Sequence, residues 1–160
     1  MSITDLVPVI ERYGLDDAAV NDDERPWIPH EKVPETWWQP VRFDVANGAW
    51  TFIIDMRVKG QVGRHQHHGM VFAYVISGSW YYKEYAWVAR AGAIVHEAPG
   101  AIHTLCSDEG TKTLFQVNGA MDFFDEDDNR VAQETVFYFV DQYVKHCEAN
   151  GLEVDRRLFW

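Results

Sequence analysis

Three histidines crowd into Arg64-His65-Gln66-His67-His68, and another follows a Pro-Gly turn in Pro99-Gly100-Ala101-Ile102-His103. Side chains alternate faces along a strand, so His65 and His67 share one face and His68 takes the other. Two imidazoles ~7 Å apart on such a face can converge on one divalent cation. Taken alone, a His-x-His pair is equally well explained as a surface cluster. A third imidazole on another strand of the same small barrel would complete a metal site. Ligating nitrogens must be unprotonated, so metal affinity is expected to fall as pH drops through ~6.5.

The elements that would carry these residues are short strands. No proline occurs between Val41 and Ala98, where β-branched and aromatic runs alternate with Gly or Asp/Ser turn signals. Residues 50–58, 71–76, 80–82, 93–95, 103–105 and 113–117 read as strands, with turns such as Ser77-Gly78 between them. That spacing predicts an antiparallel sandwich or barrel, not a parallel sheet. Pro26, Pro29, Pro34 and Pro40, with Trp27, Trp37 and Trp38, instead predict an extended arm. Val136, Phe139, Val140, Tyr143, Val144 and Cys147 recur at helical spacing, and Asn150-Gly151 supplies a stop. The chain therefore reads as one domain over 1–160: an arm over 1–40, a β-barrel over 41–125 and a C-terminal helix over 131–150.

Charge narrows the partners. A formal net charge of −11 repels phosphate backbones and anionic lipid heads, so neither nucleic acid nor membrane is expected. The apolar runs 71–76 and 136–140 are too short to span a bilayer. Met1 to Gly14 shows no basic start and no apolar run, and Cys106 and Cys147 make no disulfide framework. A cytoplasmic protein with reduced thiols is the expectation. Asp125-x-Asp127-x-Asn129 imitates a calcium loop, but Arg130 stands where that loop needs glycine, so it reads as a solvated turn.

The histidine framework resembles the cupin family. His65-x-His67 with Gly78, and Gly92, Gly100 and His103, fall in the register of its two motifs. The position that carries the usual glutamate ligand is Val71 here, by the count from His67 and by the count from Gly78. Softer departures are Pro99, displaced by one, Ser107 in place of asparagine, and Gly60, off by one. The resemblance implies an antiparallel jelly-roll barrel with His65, His67 and His103 as metal ligands. Three neutral imidazoles would leave a divalent site at +2, which favours an anionic bidentate ligand such as the enolate of a diketone or hydroxyketone. Imidazole suits iron, zinc, nickel and copper alike.

From about Gly60 to Gly151 the sequence is similar to the 2,4′-dihydroxyacetophenone dioxygenase family, in Gly78-Ser-Trp80 and Pro99-Gly-x-x-His-Thr-Leu105 above all. The related acetylacetone-cleaving cupins likewise use three histidines and no glutamate. This implies a non-haem Fe(II) dioxygenase, with zinc or nickel possible as bound species, that uses O2 to cleave a C–C bond of a small ketone. Glu97 precedes His103 by six residues. Turned inward it would serve as a catalytic base or as a hydrogen-bond partner of a ligand histidine; turned outward it is a rim carboxylate. His96 would then face the other way, and His30, His68 and His146 are expected away from the site. Arg64, Gln116, Tyr74 and Trp80 are pocket candidates by nearness alone. Cupins of this kind assemble as homodimers or homotetramers. Zinc on the same histidines would instead activate water, giving an isomerase or hydrolase, and a non-catalytic small-molecule binder is the reading from outside the enzymes.

Overall fold

The computed structural model describes residues 17–160. The first sixteen residues of the arm, and the 1–14 stretch read for a leader, lie outside the described residues. Thirteen strands follow in chain order: β1 (Ile28–Pro29), β2 (Thr36–Asp44), β3 (Ala49–Met56), β4 (Gly60–Gln61), β5 (His65–His67), β6 (Val71–Tyr82) and β7 (Ala89–Arg90). The second half comprises β8 (Ile94–Glu97), β9 (Ile102–His103), β10 (Leu105–Ser107), β11 (Thr111–Asn118), β12 (Met121–Phe124) and β13 (Arg130–Glu134). One helix, α1 (Val136–Asn150), comes after them. A nine-stranded sheet runs β1-β2-β3-β11-β6-β10-β4, with β7 and β8 also on β6. A four-stranded sheet runs β13-β12-β5-β9. Together they form the antiparallel jelly-roll barrel, packed around Trp50, Trp80, Tyr82, Val71, Val75 and Val117.

The barrel begins earlier than composition suggested. Residues 36–40, assigned above to the arm, are the first half of β2, paired with β3 from Thr36↔Met56 to Asp44↔Ala49. Pro40 is tolerated because the register shifts between Pro40 and Arg42, where the missing N–H breaks no ladder bond.

Residues 71–76 and 80–82 are likewise one strand. Ser77-Gly78 is paired strand rather than a turn, and the register against β11 slips just before it, leaving Ile76 as an extra residue. Gly78 has φ +71, and a Cβ there would lie 2.2 Å from the Gly110 carbonyl oxygen. The extra residue flips the alternation. Val71, Ala73 and Val75 are buried before the bulge, whereas Trp80 and Tyr82 are buried after it. That change of phase turns the Tyr82 side chain into the barrel.

The helix starts at Val136, five residues later than expected, because Arg130–Glu134 is committed to pairing with β12. Its buried side chains, Val136, Phe139, Tyr143 and Cys147, belong to the stripe read from the sequence, whose Val140 and Val144 are half-buried. Phe139 packs on Trp38, Trp50 and Phe52, closing one side of the barrel. Among the described residues no helix is long and apolar enough to cross a membrane. Gly151 ends α1 in the left-handed region (φ +65) with open space around it. Gly151→Ala should therefore cost about 1 kcal/mol through backbone strain alone, visible as a melting temperature a few degrees lower. Gly151→Asn should lose less, since asparagine tolerates that conformation.

Candidate metal centre

Strand pairing assembles the histidines. His65 and His67 alternate inward on β5, and the β5–β9 ladder sets His103 directly opposite His65. Opposite residues share a face, so all three imidazoles enter the same space. One ring nitrogen from each lies within 4.8 Å of the others. Their residues are 3%, 5% and 1% exposed, which excludes a surface cluster. His65 Nδ1 sits 2.7 Å from the Gly63 carbonyl oxygen. That contact places the proton on Nδ1 and leaves the Nε2 lone pair free to ligate. Tyr82 stacks flat on His103, ring centroids 3.7 Å apart at 10°, fixing the plane of that imidazole. Burial holds His65 below its ordinary pKa and takes His67 down to about 2 and His103 to about 3. The onset of proton competition expected near 6.5 is thereby displaced to more acid conditions.

Glu97 faces inward. The β6–β8 ladder pairs Val71 with Glu97, so the carboxyl group stands across from the position where the cupin glutamate is missing. Tyr82 Oη donates to Oε1 at 2.6 Å, while Oε2 lies 3.3 Å from His67 Nε2 and 3.5 Å from His103 Nε2. Desolvation pushes its pKa up to about 7, against the lowering effect of the Tyr82 hydrogen bond. Oε2 and His103 Nε2 are buried and have no hydrogen-bond partner. Buried polar atoms left without partners are costly, and a cation among these four side chains would satisfy them. The donor set therefore fits a divalent metal. With Glu97 ionised, such an ion leaves the site at +1, correcting the +2 inferred from Val71 alone.

Two recesses meet here. Inside the barrel, a cavity of about 60 Å³ touches His65, His67 and Tyr82 and is walled mainly by Trp38, Phe52, Leu105, Phe115, Phe123 and Phe139. Only His30 and Glu134 add polar groups to its far wall. A second recess, of about 220 Å³, is lined by Tyr85 and Trp87 and reaches Glu97 and His103.

The remaining candidates separate cleanly. His96 is exposed, His146 lies half-buried on α1 away from the cluster, and His68 is turned away to Asp122 at 2.9 Å. Arg64 pairs with Asp128, and Tyr74 and Gln116 lie on the outer face. Trp80 is fully buried but packs behind Tyr82 and Trp87 without lining the cavity. His30 departs from expectation: it is no ligand, yet it lines the same cavity. Tyr82 was missed because its direction depends on the bulge at Ile76. The calcium-like segment is an exposed turn in which Asp125 Oδ1 accepts the backbone N–H groups of Asp127 and Asn129.

Residues 15–122 match the family model of the ChrR cupin-like domain. No curated protein matches the chain. Among solved structures, an RmlC-like cupin protein from Ralstonia eutropha is 27% identical with a TM-score of 0.84, covering 88% of this chain and 93% of that one. A second protein with a cupin-like fold from the same bacterium is 24% identical (TM-score 0.76; 84% and 88% covered). Acetylacetone dioxygenase from Acinetobacter johnsonii is 15% identical (TM-score 0.72; 82% and 92% covered), a likeness of fold.

Proposed function

The chain belongs to the ChrR cupin-like family, and on that premise we propose that it is a metal-dependent dioxygenase cleaving a C–C bond of a small diketone or hydroxyketone. The observation that carries this reading is an apolar cavity lined by His65 and His67, two of a cluster of three buried imidazoles. Its apolar lining suits O2 and a small ketone and disfavours the hydration that a water-activating hydrolase needs. The fold shared with an acetylacetone dioxygenase supports it.

His65, His67 and His103 would hold the ion. Fe(II), when bound, supplies Lewis acidity toward the ketone oxygens and the electrons for O2 chemistry; zinc and nickel fit the same donors. Glu97 would accept the proton lost when the ketone becomes its enolate, since a carboxylate poised near neutrality is suited to that transfer. Tyr82 anchors the other carboxylate oxygen and so aims Oε2 at the imidazoles. The aromatic walls exclude water from the reacting carbon.

The test is anaerobic reconstitution with Fe²⁺ followed by oxygen-electrode measurements on a panel of β-diketones and hydroxyacetophenones. One O2 should be consumed per ketone cleaved, with both oxygen atoms recovered in the two fragments. Hydrolysis of the panel by the zinc form, with no oxygen uptake by the iron form, would overturn the proposal.

A further inference from the structure

The cavity is polar at both ends. Its near end is the histidine cluster. Its far end is reached along one row of the smaller sheet, where His67 pairs with Met121 and Met121 with Glu134. These three share an inward face, and two strand spacings put the Glu134 backbone ~10 Å from that of His67. Glu134 Oε1 accepts from Lys32 Nζ at 2.8 Å, while Oε2 has no hydrogen bond among the described residues. His30 lines the same cavity, and its Nδ1 accepts the backbone N–H groups of Lys32 (3.1 Å) and Val33 (3.2 Å). Those two bonds force the ring proton onto Nε2, which has no partner among the described residues. Burial takes the imidazole down to about 4, so it stays neutral with a single remaining N–H. The segment is held by buried Val33 and by Tyr138 Oη donating to Glu31 Oε2 at 3.0 Å. An otherwise apolar wall thus includes two residues that carry one free donor and one free acceptor.

We propose that His30 and Glu134 recognise a hydroxyl group at the end of the ligand remote from its ketone oxygens. The hydroxyl donates to Glu134 Oε2 and accepts from His30 Nε2–H; a methyl group in its place would leave both without partners. This inference rests on the ketone reading above and adds which ketone is chosen: one with a hydroxyl-bearing tail.

The test measures binding rather than turnover, by calorimetry on the Fe(II)-loaded protein without O2. The probes are hexane-2,4-dione and 6-hydroxyhexane-2,4-dione. The hydroxylated probe should bind at least about tenfold more tightly, the range for a hydrogen bond to a charged group. In His30→Asn the amide oxygen replaces Nδ1 and keeps the Lys32 and Val33 contacts while removing the Nε2 donor. In Glu134→Gln, Lys32 retains the carbonyl oxygen and the NH2 turns to the cavity, removing the acceptor. Either substitution should cut the preference to about twofold or less. Equal binding of the two probes by the unsubstituted protein, or a preference that survives both substitutions, would overturn the inference and leave the ketone reading standing. Failure of both probes to bind would remove the ketone reading and this inference together.

Discussion

Replacing His103 by alanine is expected to reduce bound iron from near one per chain to less than about a tenth, and oxygen uptake with it by about a thousandfold. Loss of a group that merely orients a ligand costs 10–100-fold in metal affinity, so loss of a ligand should cost more. Nothing nearby can take its place. His96 points to solvent, His68 is held by Asp122, and Glu97 already faces the same centre. His103 is also the ligand that β9 contributes to the cluster, delivered by its pairing at His65. Truncation removes the ring on which Tyr82 stacks, so about 2–3 kcal/mol of stability should go as well. Metal analysis is therefore paired with circular dichroism and thermal melting, to separate an emptied site from an unfolded chain. His96→Ala, on the exposed face of β8, should leave metal content unchanged. A folded His103→Ala protein with full metal content would sink the ligand assignment.

The histidine cluster was legible because its signal is local. A His-x-His spacing on a strand dictates a shared face, and the glycine framework fixed which later histidine joins it. Glu97 was legible only as a candidate, because its direction depends on the β6–β8 register. Tyr82 and the phase of β6 were hidden for a related reason: a glycine inside a strand, two residues past a bulge, looks like a turn glycine in a sequence. His30 and Glu134 meet across more than a hundred residues, and no local pattern announces such a pair. Proline density misplaced the start of β2, because a proline at a bulge breaks no hydrogen bond. The onset of α1 was misplaced by the five residues of β13, which a helical stripe beginning at Val136 does not describe.

Because Val71 and Glu97 are direct cross-strand neighbours, moving the carboxylate between them tests whether the two positions are equivalent. Val71→Glu alone should destabilise the chelated, metal-free protein by about 3–4 kcal/mol, a fall of about 10 °C in melting temperature. Val71 is 1% exposed in a filled core, so the longer side chain overpacks. It also sets a second carboxyl group against Glu97, already pushed up to about 7 by burial. A carboxyl whose folded pKa is raised contributes stability that is present below its unfolded value, near 4.5, and lost as pH rises through the folded value. The deficit should accordingly be larger at pH 8 than at pH 5. Adding Glu97→Val to Val71→Glu returns the site to one carboxylate entering from the other strand. That pair should regain stability to within about 1 kcal/mol of the original and bind iron within about tenfold of it. Tyr82 would then lose its partner at Oε1 unless the new carboxylate reaches it, which is the source of the residual deficit. A double substitution no more stable and no better at holding iron than Val71→Glu alone would show that the ladder does not make the two positions interchangeable. Recovery would mean that the site's requirement is for one carboxylate at this point in space, whichever of the two paired strands supplies it.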